Sequence, residues 1–167
     1  MDFEKVLFQR RSIRNYEDRE VDKSSVDKMI KAAKSAPSAN DRQPWHFVVI
    51  RSDETMEKIM KLHPHSYMLE DAQLAISVCG DRKKGDPYWV QDCSAATQNL
   101  LLMAENLGLG AVWLGVYPRR ERIEGITDLL NLPDHIVPLN VISIGYPAEE
   151  SRRVDRFEAE KVHYEEW

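Results

Sequence analysis

Residues 10–14 read Arg10-Arg11-Ser12-Ile13-Arg14 and bring three guanidinium groups and one hydroxyl within five positions. Each arginine has a permanent charge and five N–H donors, so a hydrophobic core cannot take up the run. Arginine binds phosphate through paired hydrogen bonds, and the serine hydroxyl adds one more donor. The run is therefore either a solvated face or the binding site of an anion, and these residues alone leave both interpretations open.

The composition of the chain narrows the kind of ligand. The 167 residues are 43% hydrophobic and carry a formal net charge of −5 at pH 7. This length and apolar content predict one domain, residues 1–167, with a hydrophobic core. An acidic protein argues against nucleic acid as a main partner, so a local basic run indicates a small anionic ligand. No run of about 18 apolar residues and no signal-peptide pattern occurs, so we expect a cytoplasmic protein without a membrane partner.

Neither the cysteines nor the closest pair of histidines forms a metal or redox motif. Cys79 and Cys93 stand in apolar stretches without a CxxC spacing, which predicts buried, unreactive thiols and no disulfide. His63-Pro64-His65 has no cysteines or carboxylates around it that would complete a metal site,. We therefore predict no metal, and a surface turn at these histidines.

Apolar residues recurring at helical spacing predict a series of helices. The predicted helices cover residues 2–8, 24–36, 53–62, 88–107 and a segment that starts at Pro118. Ser24 with Asp27 resembles a capping box, and Asp53 is the predicted cap of the next helix. The helix at 88–107 is apolar on most sides, which predicts a central helix that also packs against a second subunit. Gly108 is its predicted C-cap.

Strands are predicted at residues 46–50, at 74–79, in the stretch that ends at Gly115, and at 139–144. The first is almost continuously apolar, which implies burial on both faces. Gly108, Gly110 and Gly115 follow a helix and lead into a strand, so they are not the GxGxxG fingerprint that opens a helix in dinucleotide-binding folds. A glycine at a strand end, as at Gly115, allows a flat ligand to approach the backbone closely.

Two further segments indicate a ligand or a partner. Pro37-Ser38-Ala39-Asn40-Asp41-Arg42-Gln43-Pro44-Trp45 is a loop dense in hydrogen-bonding side chains, and its two prolines make it stiff. Such a loop either connects a helix to a strand or holds a ligand. The charged tail, about 148–167, carries Tyr164 and Trp167, and exposed aromatic residues of this kind need a surface that a second subunit could provide.

Four stretches occur in a fixed order along the chain. They are Arg10-Arg11-Ser12-Ile13-Arg14-Asn15-Tyr16, Ala36-Pro37-Ser38 with Gln43-Pro44-Trp45, Gly108-Leu109-Gly110 with Trp113-Leu114-Gly115, and Gly145-Tyr146-Pro147. In this order and spacing, from residue 10 to residue 167, the chain resembles the FMN-dependent nitroreductase family in its short form. The resemblance implies an α+β, nitroreductase-like fold in which a central mixed β-sheet is flanked by helices. It also implies an intertwined homodimer, with two FMN sites at the subunit interface and the tail packed on the partner subunit.

The resemblance also implies which residues bind FMN. Those expected at the phosphate, the ribityl chain and the pyrimidine edge are Arg10, Arg11, Ser12 and Arg14, with Arg156 returning to the phosphate from the tail. Those expected to cover the flavin from the other subunit are Pro37, Ser38, Ala39 and Gln43. Those expected along the isoalloxazine are Trp113, Leu114 and Gly115, with the Gly115 N–H near N5.

The implied activity is hydride transfer from NADH or NADPH, through flavin N5, to a small flat acceptor such as a nitroaromatic or a quinone. The cycle would be ping-pong on one site, and we expect no essential acid–base side chain, so no catalytic residue is assigned. Two alternatives remain open. One is a relative that fragments flavin or removes halogen from an aromatic compound, and the other is a flavin-binding module without turnover.

Two positions depart from the family pattern. Asp41 stands where the family usually carries an asparagine, and a carboxylate there could disfavour anionic substrates. Val154 stands where a lysine usually precedes the tail arginine by two residues, and Arg152 or Arg153 could compensate for it.

Overall fold

The computed structural model describes residues 2–149 and 154–167. Its helices are α1 (Phe3–Gln9), α2 (Lys23–Lys34), α3 (Asp53–Leu62), α4 (Arg82–Gly85), α5 (Trp89–Asn106) and α6 (Arg120–Leu129). Its strands are β1 (Tyr16–Glu17), β2 (Trp45–Ile50), β3 (Leu74–Asp81), β4 (Gly110–Gly115) and β5 (Ile136–Pro147). Short 3-10 turns lie at Ala39–Asp41, Tyr67–Leu69 and Ala159–Lys161.

Strand β5 is the centre of the sheet. It pairs with β3 along one edge and with β4 along the other, while its last two residues pair with β1 and β2 pairs with the outer edge of β3. All of these pairings are antiparallel. The predicted α+β class and helix-flanked sheet are confirmed. Within the described residues, the parallel component expected of a mixed sheet is limited to one bridge, between Ser12 and Ala111.

Two apolar clusters lie on opposite faces of the sheet, because successive strand residues point to opposite sides. On β3, Ile76 belongs to the cluster that includes side chains of α2 and α5, such as Met29 and Leu100. Its neighbour Ala75 belongs to the cluster that includes side chains of α3 and α6, such as Ile59 and Ile126. The helices therefore cover both faces of the sheet.

Helix α5 confirms the prediction of a central helix. Its inward side, which includes Cys93, Ala96, Leu100 and Ala104, is fully buried. The helix ends at Asn106, and Gly108 follows with a φ of 74°, a left-handed conformation that favours glycine. This turn leads directly into β4. None of the helices in the described part of the chain combines the length and the hydrophobicity that a membrane span requires.

Some sequence predictions about element ends were wrong. Helix α2 is capped by Asp22, whose carboxylate accepts the Ser25 N–H, and not by Ser24. Helix α3 is capped by Ser52, whose side chain accepts the Thr55 N–H, and not by Asp53. Helix α6 begins at Arg120, two residues after Pro118. In each case several neighbouring residues suit the first turn of a helix, so the sequence identifies the helix but not its first residue.

The prediction that the first strand is buried on both faces was also wrong. Strand β2 pairs only with β3 and lies at the edge of the sheet, and its Val49 is 40% exposed. An apolar run indicates that a strand can be buried, but the order of strands in the sheet determines whether both faces of that strand are covered.

Candidate functional site

Two groups of predicted site residues, the Arg10–Arg14 run and the Trp113–Gly115 segment, meet at the free edge of β4. On that edge, the Ile13 N–H donates to the Ala111 carbonyl at 3.1 Å. Backbone groups of alternate residues in an antiparallel strand point to the same edge, so Trp113 and Gly115 direct their N–H and C=O groups to the side on which the Arg10–Arg14 run lies. The structure therefore brings residues from the start and the middle of the chain side by side.

A cavity of about 420 Å³ opens on this edge. Of the residues predicted to bind a flavin, it is lined by Arg14, Trp113, Leu114 and Gly115. The other lining residues are His63, His65, Tyr67, Val112 and Arg122. The sequence does not identify His63, His65, Tyr67 and Arg122 as site residues, because it predicts only a turn at the two histidines and places Tyr67 and Arg122 in none of the four family stretches.

Two glycines of β4 explain how the edge is shaped. A Cβ atom at Gly110 would lie 2.6 Å from the Ile13 side chain, so a glycine is needed there for the Arg10–Arg14 run to pack against the strand. A Cβ atom at Gly115 would meet no atom of the described residues within 4 Å, apart from its chain neighbours. The strand is thus closely covered at its first residue and open at its last, where a flat ligand can reach the backbone.

The prediction of a surface turn was wrong for His63, which is only 4% exposed. Its Nε2 lies 3.0 Å from the Gly115 carbonyl oxygen, and Arg122 Nη1 donates to the same oxygen at 2.8 Å. Burial lowers the pKa of His63, and the charge of Arg122 lowers it further. His65 is exposed, as expected of a turn. Among the residues that the structure describes, no group of three or more His, Cys, Asp or Glu side chains is placed to hold a metal ion.

The tail returns to the arginine run. The Arg11 Nη2 donates to the Val154 carbonyl at 3.2 Å. Burial lowers the pKa of Arg10, and so do the charges of Arg11 and Arg156, while Glu105 opposes them. Arg156 therefore lies close to the run. Arg152 and Arg153, either of which could compensate for Val154, lie outside the described residues. Within the run, Ser12 is exposed and forms the bridge to Ala111.

The loop before β2 is held by hydrogen bonds within the loop and by one to helix α5. The Ala39 N–H donates to Asp92 on α5 at 3.0 Å, and the Gln43 N–H donates to the Ser38 hydroxyl at 3.0 Å. The Gln43 side-chain amide donates to the Asp41 carboxylate at 2.8 Å, so the unusual Asp41 engages a residue expected at the flavin. The cavity on β4 is not lined by Pro37, Ser38, Ala39 or Gln43 of the same chain.

The two cysteines lie away from this edge, in the core. Both are free and buried, and burial raises the pKa of Cys79 to about 11 and that of Cys93 to about 12. Since the thiolate is the reactive form, the prediction of buried, unreactive thiols agrees with their surroundings.

Comparisons with known proteins identify the fold. The model of the nitroreductase family matches residues 7–73 and 61–146. A protein of Methanothermobacter thermautotrophicus, provisionally named NADH dehydrogenase/NAD(P)H nitroreductase, is 50% identical over 169 residues, which cover 100% of this chain and 88% of that protein. A crystal structure under the same provisional name from Parabacteroides distasonis has a TM-score of 0.97 at 43% identity. The match covers 99% of this chain and 98% of the Parabacteroides distasonis chain.

A further crystal structure holds a cofactor. A provisionally named nitroreductase of Desulfovibrio desulfuricans, in complex with FMN, has a TM-score of 0.85 at 32% identity, covering 100% of this chain and 98% of its own. Because the family model spans most of the chain and the Methanothermobacter relative is 50% identical over the full length of this chain, the chain belongs to the nitroreductase family.

Proposed function

We propose that the protein is an FMN-dependent oxidoreductase that transfers a hydride from NADH or NADPH to a flat acceptor such as a nitroaromatic or a quinone. Membership of the nitroreductase family supports the oxidoreductase class, and the FMN complex of the Desulfovibrio desulfuricans relative supports the cofactor. Bound FMN would supply the redox chemistry, exchanging hydride at N5 in a ping-pong cycle. The observation that carries the proposal is the open edge of β4 at Gly115.

That edge suits a flavin because it combines backbone N–H groups that point away from the sheet with space beside a glycine. Trp113 and Gly115 direct N–H groups to the edge, and a Cβ built at Gly115 would meet no atom of the described residues within 4 Å, apart from its chain neighbours. Trp113, Leu114 and Gly115 would hold the ring along this edge, with the Gly115 N–H toward N5. A backbone N–H donor in a fixed position needs no titrating side chain, so we assign no catalytic acid or base.

The arginine cluster suits the phosphate of FMN. The charges of Arg11 and Arg156 disfavour the charged form of Arg10, and a phosphate dianion among them would relieve this repulsion through charge-assisted hydrogen bonds. Ser12 would add a hydroxyl donor. Arg14 lines the cavity beside Trp113 and would hold the flavin at its pyrimidine edge.

The proposal includes a homodimer. Pro37, Ser38, Ala39 and Gln43 are not among the residues that line the cavity of their own chain, which supports the prediction that they cover the flavin of the other subunit. In the tail, Phe157 is 75% exposed and Tyr164 is 85% exposed, and a second subunit would cover them. One domain over residues 1–167, a tail packed on the partner subunit and a cytoplasmic location all remain predictions.

The proposal is tested by anaerobic reduction of the purified protein. We expect a yellow protein whose flavin absorbance is bleached by NADH or by NADPH, each added separately, and restored by a quinone or a nitroaromatic in a second mixing step. A yellow protein whose flavin neither nicotinamide bleaches would instead support a flavin-binding module without turnover. A colourless protein that takes up no FMN would contradict the cofactor itself.

A further inference from the structure

Gly115 is held in place by hydrogen bonds and not by side-chain packing. It is the last residue of β4, and a Cβ atom there would meet nothing within 4 Å. Glycine has more backbone freedom than any other residue, so a glycine at an open strand end needs a specific restraint to keep one orientation. Its carbonyl oxygen has two such restraints, Arg122 Nη1 at 2.8 Å and His63 Nε2 at 3.0 Å.

The hydrogen bonds of His63 determine which of its ring nitrogens carries the proton. The His65 backbone N–H lies 3.2 Å from His63 Nδ1 and donates to it, so Nδ1 is the acceptor of a neutral imidazole. The proton is then on Nε2, which donates to the Gly115 oxygen. Arg122 Nη1 lies 3.1 Å from Nε2, but both atoms are donors, so they converge on the carbonyl and do not bond to each other.

Three elements meet at this carbonyl. His63 follows the last residue of α3, Arg122 lies in the first turn of α6, and Gly115 ends β4. The two helices approach closely, because a Cβ atom at Gly125 of α6 would lie 2.7 Å from the Leu62 side chain. The close contact of the helices thus brings the two donors to the same oxygen, whose two lone pairs they occupy.

We propose that His63 and Arg122 are positioning residues for hydride transfer, which fix the Gly115 backbone so that its N–H keeps facing the flavin along the β4 edge. This inference rests on the proposed function, since it assigns a role toward bound FMN. Neither side chain exchanges a proton in this role. Each acts through the Gly115 carbonyl oxygen that it holds. Loss of either donor lets the strand end change its orientation.

The first experiment observes the Gly115 carbonyl directly in the FMN-loaded protein. Gly115-Val116 is the only Gly-Val pair in the sequence, so labelling with carbonyl-¹³C glycine and ¹⁵N valine leaves one cross-peak in an HNCO spectrum. In His63→Asn and Arg122→Met, the carbonyl should lose a donor and its ¹³C resonance should move upfield. Arg120→Met, a matched loss of an exposed arginine on the same helix, should leave the peak in place. An unmoved peak in both test variants would overturn the proposal.

The second experiment measures the effect on the flavin. With rates expressed per bound FMN, the limiting rate of flavin reduction by NADH or NADPH should fall by about 10-fold in both variants, within the roughly 100-fold cost of a misplacement of about 1 Å. The nicotinamide concentration for half the limiting rate should stay near the wild-type value. His63→Gln, whose amide can donate from nearly the Nε2 position, should restore much of the rate and of the carbonyl shift. If Arg122→Met fails to fold, Arg122→Lys can be used instead, since it keeps a donor.

The outcomes separate this role from the proposed function. Variants that shift the carbonyl resonance but reduce their flavin at the wild-type rate would overturn the positioning role and leave the FMN oxidoreductase assignment intact. A His63→Gln variant as slow as His63→Asn would also overturn it. A wild-type protein that holds no FMN would instead overturn the proposed function, and this role with it.

Discussion

Arg156 links the end of the chain to its beginning, since its charge contributes to the lowered pKa of Arg10. If this cluster binds the FMN phosphate, Arg156→Ala removes a charge-assisted hydrogen bond of about 1.5–3 kcal/mol and weakens FMN by about 10- to 150-fold. The affinity for riboflavin, which lacks the phosphate, should change little. Titration of the apoprotein with each flavin measures both affinities, and Lys161→Ala, a tail cation paired with Glu158, serves as the control. Equal losses for FMN and riboflavin would show that Arg156 does not bind the phosphate.

The buried thiols should lower the free energy of unfolding at alkaline pH. A thiol ordinarily ionises near pH 9.0, whereas burial raises the pKa of Cys79 to about 11 and that of Cys93 to about 12. Above pH 9.0 the unfolded chain therefore binds fewer protons than the folded chain, and the free energy of unfolding falls as pH rises. This contribution is complete below pH 9.0 and is lost as pH rises through the folded-state values. Urea unfolding on either side of pH 9.0 should show a smaller fall for Cys79→Ala/Cys93→Ala, and an equal fall would contradict the assignment.

Within β4, two glycines should respond oppositely to the same substitution. In Gly110→Ala, the new Cβ lies 2.6 Å from Ile13, so we expect a loss of about 1–3 kcal/mol in the free energy of unfolding, as for an overpacked core, together with weaker FMN binding. In Gly115→Ala, the new methyl group meets nothing within 4 Å. Stability should therefore stay near wild type, while the methyl group slows flavin reduction by occupying the face of the ring.

Urea denaturation and stopped-flow reduction distinguish the two variants. A Gly115→Ala protein that loses as much stability as Gly110→Ala would show that the strand end is packed and not open. A Gly110→Ala protein with wild-type stability and wild-type FMN affinity would show that the contact with Ile13 does not hold the arginine run against the strand.

How much of an element could be predicted depended on how local its signal is. Helix α5 and the turn at Gly108 follow from residues adjacent in sequence, and both were confirmed. The edge position of β2 depends on the order of strands, which the composition of one strand does not report. The contact among His63, Gly115 and Arg122 joins three segments that are separate in sequence. The residue pattern within any one of these segments does not predict it. The family, in contrast, was predicted from four stretches in order and is confirmed by the family model.

The cavity on β4 is not lined by the loop that is predicted to cover the flavin. One face of the flavin would rest on β4 and the arginine run of one subunit, while the loop that should cover it is tied to α5 through Ala39 and Asp92 and does not line its own cavity. In the tail, the exposed side chains of Phe157 and Tyr164 add a second surface that a partner subunit would cover. Both observations support a symmetric dimer in which each subunit completes the site of the other.

Hybrid dimers test this arrangement most directly. Gly115→Phe should fill the β4 edge, and Ser38→Ala/Gln43→Ala should weaken the covering loop, so each variant homodimer should lose FMN. A hybrid with one defect in each subunit, isolated through two different affinity tags, has one site that carries both defects and one intact site. A hybrid of wild type with a subunit carrying both defects has one defect in each site. We predict one FMN per dimer for the first hybrid and none for the second, measured from flavin and protein absorbance. No FMN in the first and one in the second would contradict a site shared between subunits.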